Sequence, residues 1–557
     1  MSHLIALSVG PVQEFIAAAR RTRDLWFGSH LLSEVSRAVA RSIESASGRL
    51  IFPASAKAEN VANVILAELP EGDPAEVAAK AKQAAQGRWS EFAQEAQREA
   101  FGVIRREIWE DQVDDVVEFY AAWVTRSADY RGDRSAVMRL LAGRKQCRDF
   151  LPARGRAGVP KSSLDGQRES VLKDPARERW PERFRARLRI RGGEQLDVVG
   201  LVKRVAGDSP SWPSVARIAA DPWLRGNQDR LVDVRSACDT IGEHVIRRLD
   251  TTACPQFAAF PYEGTAVYVG RHHELAEETE VDSDRLLPLQ EALRRLPEPE
   301  PYLAVLVADG DRMGAVISAL DSPDTHRRFS ETLSGFAKMA RSIVNDNNGV
   351  LVYAGGDDVL AFLPVDRCLK CARQLHHEFG TRLSAYGNLT LSVGIAVGHF
   401  MENLEDLLEY GRTAEKAAKR PDRNGLAVHL HKRGGAPIRI RASWDADPDQ
   451  RLERFANLMN DGVVSGKLPY ELLTLARLYE SWTGNAENAI QQDLFRLIAK
   501  KSTRGTETVR QALANDLQSL NPTGLLELAQ ELLVARQLAR TLKQAARPVS
   551  GMQEVMS

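Results

Sequence analysis

The sequence predicts an α+β protein with two ferredoxin-like domains, an irregular middle domain and a C-terminal helical bundle. Three observations predict it. Between residues 296 and 435, apolar runs and amphipathic stretches follow one another in β-α-β-β-α-β order. Residues 1–150 open in the same way and diverge later. From 436 to 557 the apolar residues recur almost entirely at helical spacing. The remaining stretch, 151–295, is rich in Pro, Gly and Arg with short elements, and its fold is not assignable from pattern.

Taken in order, Leu4–Val9 is an apolar run of strand length. Pro11 stands at a helix start, and Val12, Phe15, Ile16 and Ala19 share one helical face. A helix is expected over Leu31–Ile43 and strands over Arg49–Phe52, Val61–Leu69 and Val113–Val124. In the second unit Tyr302–Ala308 is a buried strand. A helix then carries Phe329, Leu333, Phe336, Met339, Ile343 and Val344 on one face and closes at Asn347-Asn348-Gly349. Val350–Ala354 and Val359–Leu363 are separated only by Gly355-Gly356-Asp357-Asp358, which makes them a hairpin. A helix over Asp366–Arg382, a strand over Leu389–Val397, a helix marked by Leu404, Leu407, Leu408, Gly411, Glu415 and Ala418, and a strand over Leu426–Leu430 complete the ferredoxin-like palm. Helices are expected in the tail over Leu452–Met459, Leu468–Trp482, Ala489–Ile498, Thr508–Leu517 and Leu525–Ala545.

Bulk properties exclude some classes. The chain has 557 residues, 43% hydrophobic and 27% charged, enough for about three or four domains. No run approaches the roughly 18 apolar residues of a membrane helix, and the five cysteines form no disulfide framework, so a cytoplasmic location without membrane contact is expected. The 75 basic and 75 acidic residues balance, which argues against nucleic-acid binding by overall field but not by local patches. Seven arginines between Arg177 and Arg191, beside Trp180 and Phe184, could track a phosphate backbone or form an ion-paired surface strand. Cys368 and Cys371, followed by His376 and His377, have zinc-like spacing. On a helix, two cysteines one turn apart read as buried filler. His272-His273 and His376-His377 read as surface residues, and Trp180, Trp212 and Trp223 as packing. Arg20, Arg21 and Arg23 read either as RNA- or ATP-contacting or as a solvated helix end.

The chemistry concentrates at one edge of the 296–435 unit. Asp309 and Asp311 end its first strand, and Asp357 and Asp358 sit at the hairpin tip, so the fold brings them together. Four clustered acids repel unless a cation sits among them, and hard oxygen ligands beside phosphates suit Mg²⁺ or Mn²⁺. Gly310, Gly355 and Gly356 would let a nucleotide approach the backbone, and Lys416, Lys419 and Arg423 would hold its phosphates. Gly-Gly-Asp-Asp alone is also ordinary turn chemistry. Its occurrence 46 residues after D-G-D, with a cationic helix following, points to catalysis.

Four runs resemble the GGDEF family of cyclases: DGDRMG from Asp309, YAGGDDVLAF from Tyr353, LSVGIA from Leu391 and AEKAAKRPDRNG from Ala414. With Asp358 and Val359 closing the motif, the pattern resembles the large subunit of type III CRISPR effector complexes. Ser8–Ser29, Gly143–Phe150, Pro160–Gly166 and Val199–Arg204 are similar to its Cmr (III-B) branch. The resemblance implies two facing palms that bind ATP, and synthesis of cyclic oligoadenylate when guide RNA in a complex of Cmr subunits captures a complementary transcript. By resemblance Asp309 and Asp358 would hold metal, Asp357 would bind metal or polarise the attacking hydroxyl, and Gly355 and Gly356 would pass close to the nucleotide.

Two departures carry expectations of their own. None of the 11 histidines precedes an aspartate and the chain opens at the first palm, so no HD nuclease is expected. Where relatives show K-C-S-L-C-G in a zinc finger, this chain has Lys161-Ser162-Ser163-Leu164-Asp165-Gly166. Without thiolates no zinc is expected there, and the loop should be held by its own hydrogen bonds. Other readings of the same palm are AMP transfer to a different small acceptor, or a silent RNA-binding scaffold.

Overall fold

The structure, a computed structural model, describes residues 1–147, 155–174, 180, 190, 193–207, 212–482, 486–501 and 521–546. The arginines between 177 and 191, Phe184 and the expected helix Thr508–Leu517 lie outside these residues.

Strands β1 (His3–Gly10), β2 (Arg49–Phe52), β3 (Val64–Leu69) and β4 (Glu118–Thr125) form an antiparallel sheet in the order β2-β3-β1-β4. Cover on both faces of β1 explains why Leu4–Val9 is apolar except for the buried Ser8. Ile5, Leu7 and Val9 face the helices Thr22–Ser45 and Pro74–Glu99, while Leu4 and Ala6 face Tyr130, Val137 and Leu141 of the Tyr130–Gln146 helix. Two expectations shift. The second helix begins at Thr22, nine residues before Leu31, because Leu25 and Phe27 extend its buried face. Asp114 and Asp115 form a turn after a helix over Arg106–Val113, so β4 starts only at Glu118.

Strands β5 (Tyr302–Gly310), β6 (Val350–Gly355), β7 (Asp358–Pro364), β8 (Leu391–His399), β9 (Gly425–Leu430) and β10 (Ile438–Ser443) form a second sheet, β10-β9-β8-β5-β7-β6. Its first four strands in the chain, β5 to β8, run in ferredoxin order. The Leu404–Ala418 helix makes the crossover to β9, which runs parallel to β8. The short strand β10 was not expected. On one face Ala304, Leu306 and Ala308 pack with the helices Pro323–Asp346 and Cys368–Arg382. On the other, Leu303 and Val305 meet Leu404, Leu407 and Leu408, with Ile218 and Ala219 of the middle region.

Tail helices Pro448–Asn460, Leu468–Glu480, Glu487–Lys501 and Pro522–Ala545 share the core of this sheet. Leu452, Phe455, Leu525 and Leu528 belong to one apolar cluster with Leu426 and Val428. Cys368 and Cys371 lie in it too, their thiols pushed up by burial. His376 Nδ1 donates to the Leu391 carbonyl, and the ring stacks on Trp444. Trp180, Trp212 and Trp223 are buried. His272 is buried against the Ala266 carbonyl, contrary to the surface reading, whereas His273 and His377 are exposed.

The middle region braces the first sheet through its helix Val198–Val205. Arg204 binds Asp24 at 2.8 Å and Glu194 at 3.2 Å, all three buried. Burial opposes the charge on Asp24, but the guanidinium holds its carboxyl below the usual range. Arg23 donates to the Lys203 and Ala206 carbonyls, so it serves the fold, not RNA or ATP. Lys203 Nζ donates to the carbonyls of Phe15 and Ala18. The two sheets are joined by Tyr130 Oη to His326 Nδ1 at 2.8 Å, by Ala54 N to Ser330 Oγ at 3.0 Å and by Asn60 Nδ2 to the Ala354 carbonyl at 2.9 Å.

Asp24→Ala would strand Arg204 beside one remaining acid and should cost about 3–5 kcal/mol, measured by denaturant unfolding. His326 is held down to about 4, first by burial and then by Arg134. The unfolded chain therefore takes up this proton first as the medium acidifies. Stability should be unaffected above the ordinary value of 6.5 and fall between there and 4. His326→Gln should flatten that part of the acid-denaturation profile.

Candidate active site

The hairpin between β6 and β7 pairs Gly355 with Asp358, leaving Gly356 and Asp357 as its two-residue loop. Gly356 has φ +78°, as the first loop position of a II′ turn requires. Asp357 is thereby thrown toward β5. Ala308 of β5 pairs with Val359 of β7, so the same register sets Asp309 beside Asp358. A Cβ on Gly310 would stand 2.8 Å from both Asp357 Cβ and Phe379, so the hairpin tip closes on β5 only because that position is bare. The space at Gly355 is filled by Tyr353 of its own strand, whose hydroxyl would stand 1.7 Å from an added Cβ. Gly310 and Gly355 thus serve internal packing, not approach of a ligand.

Asp309, Asp357 and Asp358 are brought together. Burial pushes the Asp357 carboxyl up to about 6, and the charge of Asp309 adds to it. Asp358 is raised as well, by enclosure, by its hydrogen bond with Asp309 and by the charge of Asp357. Asp358 is nonetheless open to the cleft. One cation relieves the cluster. Lys419 Nζ donates to Asp309 and lies 2.9 Å from Glu415 Oε1. Gly394 positions the helix that carries both: a Cβ there would stand 2.1 Å from the Glu415 amide nitrogen. The glycine of LSVGIA therefore fixes how closely the cationic helix approaches the sheet.

Asp311 is elsewhere. It is 2% exposed, and its carboxylate accepts from Thr390 Oγ1 at 2.7 Å, Ser392 Oγ at 2.9 Å and the Asn424 amide at 3.1 Å. It ties the end of β5 to β8 and to the loop before β9, which removes it from the expected metal ligands. Arg423 is exposed and outside the cleft lining, its carbonyl accepting from Arg441. Lys416 and Lys419 do line the cleft.

That cleft, about 1030 Å³, runs between the two sheets. Asp309, Asp358, Tyr353, Arg412 and Glu415 line one wall. Gly10, Pro11, Asn63, Glu118 and Tyr120 line the other, with Leu164, Asp165, Gln167 and Arg168 beside them. The second wall was not read from sequence, because no motif marks scattered polar residues on a divergent unit. Tyr353 was missed as a strand residue and Glu415 as part of a helix face. The loop Lys161–Gly166 is held as expected by hydrogen bonds, to itself and to Gln195. Gly166 N reaches Ser162 O at 3.0 Å, Ser163 N reaches Gln195 O at 2.8 Å, and Gln195 N reaches Ser163 Oγ at 2.9 Å.

Among the described residues no three Asp, Glu, His or Cys side chains stand as a ready ligand shell, because Asp311 is withdrawn and Lys419 holds Asp309. The donor set still suits a divalent ion: three crowded carboxylates, two with raised proton affinity, are hard oxygen ligands short of positive charge. Lys419 and such an ion compete for Asp309. Lys419→Met should therefore bind Mn²⁺ more tightly, by on the order of tenfold, in a calorimetric titration. An unchanged affinity would show that the ammonium does not compete.

The model of the family "Cas10/Cmr2, second palm domain" matches residues 302–427, and that of "CRISPR-associated protein Cmr2, N-terminal" matches residues 4–94. The Cmr subunit Cmr2 of the Pyrococcus furiosus CRISPR system is 28% identical over 294 residues, covering 45% of this chain and 33% of that protein. Cmr2 of Saccharolobus solfataricus is 34% identical over 76 residues, 14% of this chain and 7% of that protein. The chain thus spans a third or less of the length of these relatives. Its fold is similar to a chain of the type III-B Cmr-β complex in the apo state, with TM-score 0.67 and 13% identity, over 90% of this chain and 78% of that one. A Cmr-β structure bound to cognate target RNA gives 0.66 at 13% identity, over 90% and 79%. Matched at its N-terminal and second-palm segments and alike in fold to a Cmr-β chain, this chain belongs to the Cmr2/Cas10 family of type III-B CRISPR large subunits.

Proposed function

We propose that this chain is the nucleotidyltransferase subunit of a type III-B CRISPR ribonucleoprotein, joining ATP into cyclic oligoadenylate when guide RNA captures a complementary transcript. The observation that carries the reading is the placing of Asp309 and Asp358 on one wall of a two-sided cleft, with Asp357 close against both and Lys419 and Glu415 beside them. The family assignment and the likeness to a Cmr-β complex bound to target RNA support the RNA and the other Cmr subunits as partners.

Asp309, Asp357 and Asp358 would hold Mg²⁺ or Mn²⁺, which when bound would offset charge on the transferring phosphoryl group and ready the attacking hydroxyl. Asp357, with its proton affinity raised toward neutrality, is suited to take the proton of a ribose hydroxyl. Arg412 and Lys416, on the cleft side of their helix, would bind the triphosphate. Asn63, Glu118 and Tyr120 on the facing wall would orient the acceptor. A scaffold reading draws on the locked Asp311 and on the neutralising Lys419, which let the acids persist without catalysis.

The assembled complex with matched target RNA, Mn²⁺ or Mg²⁺ and labelled ATP should yield oligoadenylate, resolved by mass. Asp357→Ala with Asp358→Ala should lower the yield by at least about 10²-fold. A product of ATP with another small molecule would point to a different acceptor. No phosphodiester from the wild-type complex would favour the scaffold.

A further inference from the structure

On the flank of the Leu404–Ala418 helix away from the carboxylates, Thr413 and Ala417 border a second, smaller notch of about 220 Å³. Strands β9 and β10 complete it with His429, Arg439 and Arg441. The register explains the gathering. Arg439 pairs with His429, and Arg441 lies two residues on, so both guanidinium stems rise from the same face of the edge strand. His429 is 2% exposed, yet its Nδ1 has no hydrogen-bond partner, and the buried Nε2 of His431 also lacks one.

Such unpaired buried ring nitrogens are uncommon and call for an explanation. The charges around them share one sign. His429 is held down to about 4, by burial first and then by Arg439 and His431, and His431 is held down by burial and by Arg439. Among the described residues the one acid paired with either notch arginine is Asp422, and it is committed to Arg441, which also donates to the Arg423 carbonyl. Arg439 is exposed at the rim. Among the described residues Arg439, His429 and His431 have no matching acid; they mirror the crowded carboxylates of the cleft, and what they lack is an anion.

We propose that this notch binds a phosphate group, carried by a nucleotide or by an RNA strand. Arg439 supplies the planar fork that fits phosphate oxygens, and His429 a ring that gains a proton once the anion offsets its cationic neighbours, while Thr413 stands at the wall with its hydroxyl donating to Glu409 at 3.3 Å. The notch backs the helix whose other flank carries Lys416 and Lys419.

The test uses the full chain with ¹³C-labelled histidine, the His429 resonance being assigned by its loss in His429→Gln. Inorganic phosphate, ATP in excess chelator and a short single-stranded RNA are titrated separately. At least one should move the resonance and raise its titration midpoint by one pH unit or more. Arg439→Ala, checked for an unchanged melting profile, should abolish the shift. Response to phosphate and ATP assigns the notch to small nucleotides, and response to RNA alone assigns it to a strand. The Asp357→Ala, Asp358→Ala chain should respond like wild type, which separates this site from the catalytic reading. No movement with any of the three at millimolar concentration, or an equal shift in Arg439→Ala, overturns the proposal.

Discussion

Backbone register compresses negative charge at one corner of this molecule. The pairing of β5 with β7 aligns Asp309 with Asp358, and a two-residue loop adds Asp357. None of these acids can withdraw without a slip that would turn the apolar residues of β5 and β7 out of both cores. Much of the local structure serves that compression. Gly310 lets the hairpin tip close, Gly394 draws the Lys419 helix down, and the buried Asp311 fastens the end of β5 with three kinds of donor. The fold pays for this corner through two well-covered sheet faces.

The second sheet was legible because its periods are strong. Tyr302–Ala308 and Leu389–Val397 read as strands covered on both sides, and the four-residue interval between Ala354 and Val359 left room only for a hairpin. What sequence could not give was side-chain direction at a strand's last residue. Asp309 and Asp311 look alike as D-G-D, but one ends the strand facing the cleft and the other turns beneath it onto Thr390 and Ser392. Nor could spacing show that Arg423 follows a turn out of the cleft, at φ +64°.

The first unit was less legible for a different reason. Its elements are apolar enough to be located, and the end of β1 with the residues after it, from Ser8 to Ile16, reaches the cleft, but its other contributions are single polar residues separated by tens of positions. Asn63, Glu118 and Arg168 meet only once the sheet and the middle region are assembled. The middle region has short helices around an apolar core that includes Trp223, Phe260 and Leu289, and buried charges such as Arg204 and Lys203 tie its Val198–Val205 helix to the first unit. Asn60, reaching from this unit to the Ala354 carbonyl, makes the hairpin's edge strand depend on both halves.

The hydroxyl-pinned loop Lys161–Gly166 stands beside the cleft, with Ser162 and Asp165 in place of the cysteines of the resembled motif. Hydroxyl and carboxylate oxygens neither oxidise nor exchange with disulfides as thiols do. The shape of that stretch rests on hydrogen bonds among its own atoms and with Gln195, and it holds no thiol for an oxidant to convert.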